Sequence, residues 1–490
     1  MDWAAFRSGS DIRGCGLGDT EPPLYLSDSA VEAMAGAFAL WLTEQTAQRP
    51  LRVAVGHDCR LSSERIKLAC LRGLTARGVQ AVDCGLSSTP AMFFAALDLP
   101  CDGAIQITAS HHPMDRNGLK FFTPKGGLEG TDIARLLEAA ASLPPGEGGG
   151  TVTQAHYMAR YAARLRDVIR ARAGGGERPL EGCLIAVDAG NGVGGFFASE
   201  VLAPLGADIS AGQFLEPDGR FPNHAPNPEN TAAMESISRR VRETGADFGV
   251  IFDTDVDRAG CVEQSGMEIN RNRLVALAAA LALESCPGGT IVTDSVTSDG
   301  LTTYIESLGG RHLRYRRGYR NVIDKQLELT AQGVACPLAI ETSGHAAFAE
   351  NHFLDDGAYL IALLVAALVR MRREGKRLED KIASLEEPAE ERELRFTIHA
   401  EDFRSCGEQV IADLRAFAAG QPGWRLAARD YEGVRVSAGE GYGNGWFLLR
   451  LSVHDPVMPL NLESSRPGGI DRMLETLRPF LAMYPVLAEK

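Results

Sequence analysis

LRVAVGHDCRLSSERIKLACLRGL, from Leu51 to Leu74, decides the fold class. It reads as an apolar strand, a polar turn and then an amphipathic helix. CLIAVDAGNGVGGFFASEVLAPLG, from Cys183 to Gly206, repeats the plan. GTIVTDSVTSDGLTTYIESLG, from Gly289 to Gly309, repeats it again. Three strand-then-helix units about a hundred residues apart predict three related α/β domains built on mixed, mostly parallel sheets.

Punctuation places the joints. PPGEGGG (Pro144 to Gly150) and AGGGERP (Ala173 to Pro179) are rich in helix breakers and bracket a linking helix near His156 to Arg172. ESCPGG (Glu284 to Gly289) separates the second unit from the third, and the charged run Leu385 to Phe396 precedes a tail of different texture. That tail alternates short strands such as GWFLLRLSV with helical stretches and reads as an α+β domain. The expected division is domain I at 1–150, a linking helix at 151–178, domain II at 179–285, domain III at 286–388 and domain IV at 389–490.

The bulk numbers bound the function. A chain of 490 residues with 45% hydrophobic and 7% aromatic content is ordinary for a multi-domain globular protein. Its formal charge of −14 argues against nucleic-acid binding, which needs a basic face, while leaving room for a few arginines on one phosphate. The opening MDWAAFRSGSDIRG lacks a basic segment followed by an apolar one, so no secretory signal is expected. The apolar run Leu360 to Val369 is too short for a membrane span and reads as a core helix. Ten cysteines without a CxxC pair read as reduced core thiols. A cytoplasmic protein with no membrane partner, monomeric or homodimeric, is expected.

Four polar constellations each follow an apolar strand, the position where α/β sheets place ligands. After DGAIQIT comes Ser110, followed by His111, His112 and, beyond a turn at Pro113, Asn117 and Gly118, by Lys120. A serine at a strand end with acid/base partners in its own loop suits transfer of a group to and from its hydroxyl. After DFGVIF comes DTDVDR, in which Asp253, Asp255 and Asp257 can converge and Arg258 can meet a phosphate oxygen. Three carboxylates without Cys or His suit a hard divalent cation, Mg²⁺ before Zn²⁺. An EF-hand would need glycine and glutamate where Arg258 and Gln264 stand, and is excluded. ETSGH presents Glu341, Ser343 and His345, a pattern able to bond vicinal sugar hydroxyls. RLSVHDP presents Arg450, Ser452 and His454, a compact anion cradle. One shared cleft with four walls would explain all four.

With these motifs the whole chain resembles the α-D-phosphohexomutase superfamily. FRSGSDIRG (Phe6 to Gly14), TASHHP…NGLK, DTDVDR, ETSGH and RLSVHDP stand in the order of that superfamily's opening, serine, metal, sugar and phosphate motifs. Ser10, His112, Ile340, Val453 and His454 depart from the usual residues. The stretch RYRRGYRN (Arg314 to Asn321) loosely matches the sugar-selecting loop, with Arg316 and Tyr319 as its candidate contacts.

The resemblance implies a four-domain enzyme that interconverts hexose 1-phosphate and hexose 6-phosphate, of mannose or glucose, through a hexose 1,6-bisphosphate that also serves as activator. Ser110 would carry the phosphoryl group and ligate Mg²⁺ together with Asp253, Asp255 and Asp257. Arg13 and Arg258 would stabilise charge, and Lys120, His111 or His345 would shuttle the proton. Glu341 and Ser343 would hold the sugar; Arg450, Ser452 and His454 would hold the idle phosphate. A phosphoglucosamine mutase, a Ser/Mg²⁺ phosphatase and a sugar-phosphate sensor are the alternatives.

Overall fold

A computed structural model supplies the structure and describes residues 2–18, 23–46, 50–452 and 455–489. The chain forms two compact units, the first comprising Met1–Asn270, Ser343–Ala347 and Leu354–Asp380, the second Arg271–Thr342, Phe348–Phe353 and Lys381–Lys490.

In the first unit, the strands Arg52–His57, Gly103–Ile107, Gln80–Leu86 and Thr151–Gln154 run parallel. Arg116–Thr123 and Asp11–Cys15 extend this sheet in antiparallel fashion beyond Gly103–Ile107. Gly103–Ile107 is buried along its whole length, so it reads as an apolar run broken only by Gln106, whose Nε2 donates to Ser87 O at 2.8 Å. Helices Asp28–Gln45, Ser63–Thr75 and Gly130–Ala141 cover the sheet around Phe38, Val53, Val55, Ile105 and Phe121. Thr151–Gln154, which the sequence reading grouped with the linking helix, is the sheet's edge strand, and that helix itself spans Tyr157–Arg172.

The second sheet has one parallel pair, Ile185–Asp188 beside Phe248–Phe252, and continues antiparallel through Ala259–Glu263 and Glu268–Ile269. No regular amphipathic helix follows Asp188. A short turn at Val193–Gly195 leads into a π-helical stretch at Phe197–Leu202, because Gly192, Gly194 and Gly195 let the chain pack its backbone tightly where a helix would begin. The helix Gly357–Arg373 also belongs to this unit. Its first turn is capped by Asp356 Oδ1, which accepts from Tyr359 N (2.8 Å) and from the buried Tyr161 hydroxyl (2.7 Å). It is the core helix expected from the apolar run, and it packs on Tyr157–Arg172 and on the strands Phe248–Phe252 and Ala259–Glu263.

In the second unit, Thr290–Thr293, Arg311–Arg314 and Leu338–Ile340 form parallel pairs. The helix Arg271–Ser285, assigned from sequence to domain II, lies in this unit against Asp299–Ser307. Six antiparallel strands, from Glu390–Ile398 to Leu487–Glu489, form the last sheet. Helices Phe403–Ala419 and Gly469–Leu481 bury Phe396, Val436, Phe447, Met473 and Phe480 against it. Arg435 joins the two halves of the unit. Its guanidinium stacks 3.6 Å from the Trp446 ring centroid and donates to Ser295 O (2.9 Å), Thr297 O (3.1 Å) and Asp299 Oδ1 (2.9 Å).

All ten cysteines are free and at least half-buried. Among the described residues no helix is long and apolar enough to cross a membrane.

Candidate active site

Ser110 follows the buried strand Gly103–Ile107 and is itself 2% exposed. Its φ of 49° is a left-handed conformation that non-glycine residues seldom adopt, so the turn must be held by its surroundings. Thr108 Oγ1 accepts from Ser110 N at 2.9 Å. Ser110 Oγ donates to Asp253 Oδ2 at 3.0 Å and lies 3.3 Å from His111 Nδ1. Burial, then Arg258, His112 and Arg13, hold the His111 imidazolium far below the usual histidine range, so this ring is neutral at ordinary pH.

Arg13 reaches the same loop from the neighbouring strand. It donates to Thr108 O (2.6 Å) and to Asp11 Oδ2 (2.8 Å). Gly118 makes this possible, since a Cβ there would sit 2.3 Å from Ile12 O and 2.8 Å from the Arg13 side chain.

The acidic loop follows Phe248–Phe252, and Asp253, Asp255 and Asp257 are all fully buried. Each offers one carboxylate oxygen within 4.8 Å of the others'. Lys120 bonds Asp257 and lies 3.5 Å from Asp255 Oδ2. Burial pushes the Asp257 carboxyl up, but Lys120, His345 and Arg258 outweigh it and hold it well below the carboxylate range. Burial and then the Asp257 and Asp255 charges push Asp253 the other way. Lys120 and Arg258 therefore leave the group short of positive charge. Asp255 Oδ1 and Asp257 Oδ1 are buried without a hydrogen-bond partner. Buried carboxylate oxygens left open in this way fit a divalent metal, and Asp257 also stands in a second possible ligand set with His345 and Asp355.

His345 closes this group. Arg258 Nε donates to its Nε2 at 3.1 Å, so Nδ1 carries the ring hydrogen and faces Ser343 Oγ at 3.0 Å. The sequence reading placed Ser343 with Glu341 on the sugar; its hydroxyl meets His345.

The remaining candidates lie in the second unit. Glu341 Oε1 accepts from Gly318 N at 2.6 Å. Arg316 Nε donates to the Tyr431 carbonyl at 3.0 Å, and Tyr319 opens the helix Tyr319–Ala331. Arg450 Nη1 is 3.6 Å from Glu432 Oε1, and its Nε is buried without a partner. Ser452 Oγ accepts from Asp455 N at 3.3 Å. His454, with Val453, lies outside the described residues.

Several residues escaped the sequence reading. Asp58 and Arg60 follow the strand Arg52–His57, the strand-end position that flagged the other motifs, and they grip the Ser110 loop. Asp294 follows Thr290–Thr293 in the same way. It accepts from Thr342 Oγ1 at 2.8 Å, and burial, then the Glu341 charge, raise its carboxyl to about 7. Arg317 Nε lies 4.0 Å from Asp294 Oδ2, so Arg317 rather than Arg316 turns toward the buried acids. Glu432 accepts from Ser295 Oγ (2.6 Å) and Arg317 N (3.0 Å); no local pattern marked it.

Comparison with known proteins gives the family. Residues 8–142, 159–266 and 270–388 match the families described as phosphoglucomutase/phosphomannomutase, alpha/beta/alpha domains I, II and III. The chain is 31% identical to a phosphomannomutase/phosphoglucomutase of Pseudomonas syringae pv. tomato, over 88% of this chain and 87% of that protein. It is 30% identical to a phosphoglucomutase of Neisseria gonorrhoeae, over 97% and 96%. A crystal structure of a phosphoglucomutase/phosphomannomutase family protein from Burkholderia thailandensis superposes with a TM-score of 0.82 at 28% identity, covering 99% of this chain and 98% of that one.

Proposed function

This chain belongs to the α-D-phosphohexomutase superfamily, and we propose from that premise that it is an isomerase interconverting the 1- and 6-phosphates of mannose, glucose or both. Ser110 carries the phosphoryl group, and a hexose 1,6-bisphosphate is both intermediate and activator. The observation that supports this most is the Ser110 hydroxyl, buried at a strand end and 3.0 Å from the acidic loop.

Asp253, Asp255 and Asp257 would hold Mg²⁺, which when bound would withdraw charge from the phosphoryl oxygens. Transfer breaks the Oγ–P bond as a sugar hydroxyl oxygen bonds the same phosphorus. In the return step Ser110 Oγ bonds the phosphorus of the other phosphate as that phosphorus leaves its sugar oxygen, and the proton that Ser110 Oγ releases toward Asp253 Oδ2 (3.0 Å) or His111 Nδ1 (3.3 Å) is balanced by one taken up on the sugar oxygen. Lys120 bonds Asp257 and lies 3.5 Å from Asp255 Oδ2, so it offsets the charge of the acidic loop. Lys120 and His345 are the candidates for the sugar hydroxyl's proton, and His345 would take it at Nε2 only on releasing the Arg258 bond there. Arg258 and Arg13 stabilise charge on the moving group. Glu341 takes the sugar hydroxyls, and Arg450 with Ser452 takes the idle phosphate.

The test is intact mass before and after incubation with glucose 1,6-bisphosphate, followed by coupled assays on the 1-phosphates of mannose, glucose and glucosamine. One added phosphate on Ser110 and turnover of the first two are expected. Release of inorganic phosphate at the rate of isomerisation would instead mark a phosphatase.

A further inference from the structure

We propose that Arg60 is a positioning residue that sets the Ser110 loop in register with the acidic loop; the inference rests on the phosphoserine reading above. Arg60 is 2% exposed, and its guanidinium is surrounded by the carbonyls of that one loop. Nη2 donates to Ser110 O (2.5 Å) and His112 O (2.6 Å), while Nη1 donates to Pro113 O (2.6 Å) and Arg116 O (3.1 Å). Four carbonyl dipoles aimed at one point repel each other unless a cation with donors in two directions stands there. A planar guanidinium supplies that fork, and an ammonium does not.

The guanidinium is fixed from behind. Nε donates to Asp58 Oδ2 at 3.1 Å within a fully buried ion pair. Asp58 Oδ1 accepts from Arg60 N (3.0 Å) and from Ser63 Oγ (2.6 Å). Ser63 Oγ in turn accepts from Asn117 Nδ2 at 3.0 Å. One network thus binds the serine loop at both its start and its end.

The same residue is held by the domain that carries the acidic loop. Phe221, from the stretch matching domain II, lies 5.2 Å from the Arg60 guanidinium, face to cation. Gly219 packs so closely on the Arg60 backbone that a Cβ would sit 2.4 Å from Cys59 O and 2.7 Å from Arg60 Cα. Arg60 therefore answers to both domains. This is a requirement the chemistry imposes, because Ser110 Oγ and Asp253 must meet although they lie in different domains, and small misplacement at a phosphoryl centre is costly.

Arg60 touches neither sugar nor phosphate in this account, so its loss should separate kcat from KM. In R60K, kcat and the rate at which glucose 1,6-bisphosphate labels Ser110 should both fall by ~10–100-fold. KM for the hexose phosphate should stay within about threefold, the signature of a lost transition-state alignment. F221A, which keeps Arg60 and removes its partly buried support, should shift the same two rates in the same direction by less. If R60K fails to fold, F221A decides. An R60K enzyme that folds and labels at the parent's rate overturns the proposal, as does F221A with unchanged turnover when R60K does not fold. A parent that takes up no phosphate overturns the phosphoserine reading itself, and this inference with it.

Discussion

Ser110 Oγ and Asp253 Oδ2 lie 3.0 Å apart, joined by a hydrogen bond between residues 143 positions distant in the chain. The hydroxyl at the end of one sheet is thus the partner of the first carboxylate at the end of another. The candidate nucleophile and the acidic loop are brought together by the folding of two domains, not by any local motif.

If Ser110 carries the phosphoryl group, S110A should fold normally and lose isomerase activity by roughly a thousandfold or more. Its mass should not change on incubation with glucose 1,6-bisphosphate. Retained turnover in S110A would refute the assignment.

Removing divalent metal with a chelator should abolish turnover, and Mg²⁺ should restore it. D255N should raise the Mg²⁺ concentration giving half-maximal rate, because one of two unpartnered buried oxygens is then lost from the donor set. Titration of activity against Mg²⁺ reads this directly. An unchanged half-saturation would place the cation elsewhere.

Lys120 offsets charge on Asp255 and Asp257. K120M removes the cation bonded to Asp257, leaving Arg258 as the fixed charge beside these buried carboxylates, and should destabilise the protein by about 3–5 kcal/mol. Saturating Mg²⁺ should recover much of that loss, since the ion binds the folded form alone. Thermal midpoints with and without Mg²⁺ make the comparison. Equal deficits in both conditions would rule out an electrostatic role.

Glu463 provides a pH test away from the reaction. Burial raises its carboxyl from 4.5 to about 7, against the Trp446 Nε1 hydrogen bond of 2.7 Å and the Arg435 charge. The folded form therefore keeps a proton that the unfolded chain releases. Stability from this group is fully present below pH ~4.5 and falls as pH rises toward 7, by at most about 1.4 kcal/mol per pH unit. E463Q should flatten that limb of the stability curve measured by chemical unfolding.

What the sequence disclosed followed from locality. DGAIQIT announced a strand because both its faces are buried, and DTDVDR announced a cation site because three carboxylates within five residues need a reason to be buried together. Asp58, Arg60 and Asp294 stand at strand ends too, but a single carboxylate or arginine there has no pattern to distinguish it. Glu432 and Arg317 acquire meaning only from partners far away in the chain. The apolar run around Leu360 announced a core helix, yet nothing within it could name the sheet it covers. The π-helical stretch at Phe197–Leu202 was hidden by side chains that suit an ordinary helix equally well.

The helix Gly357–Arg373 has a consequence for how this protein is made. The unit that holds Ser110 and the acidic loop is built from Met1–Asn270 but completed by Leu354–Asp380. During synthesis the earlier segment emerges with a groove beside Tyr157–Arg172 that only a later part of the message can fill. At about 5–20 residues per second the helix is complete only about 5–21 s after Asn270, and apolar surface stands open to chaperones or to a neighbouring nascent chain until then. Assembly of the first unit is thereby postponed until most of the chain has left the ribosome.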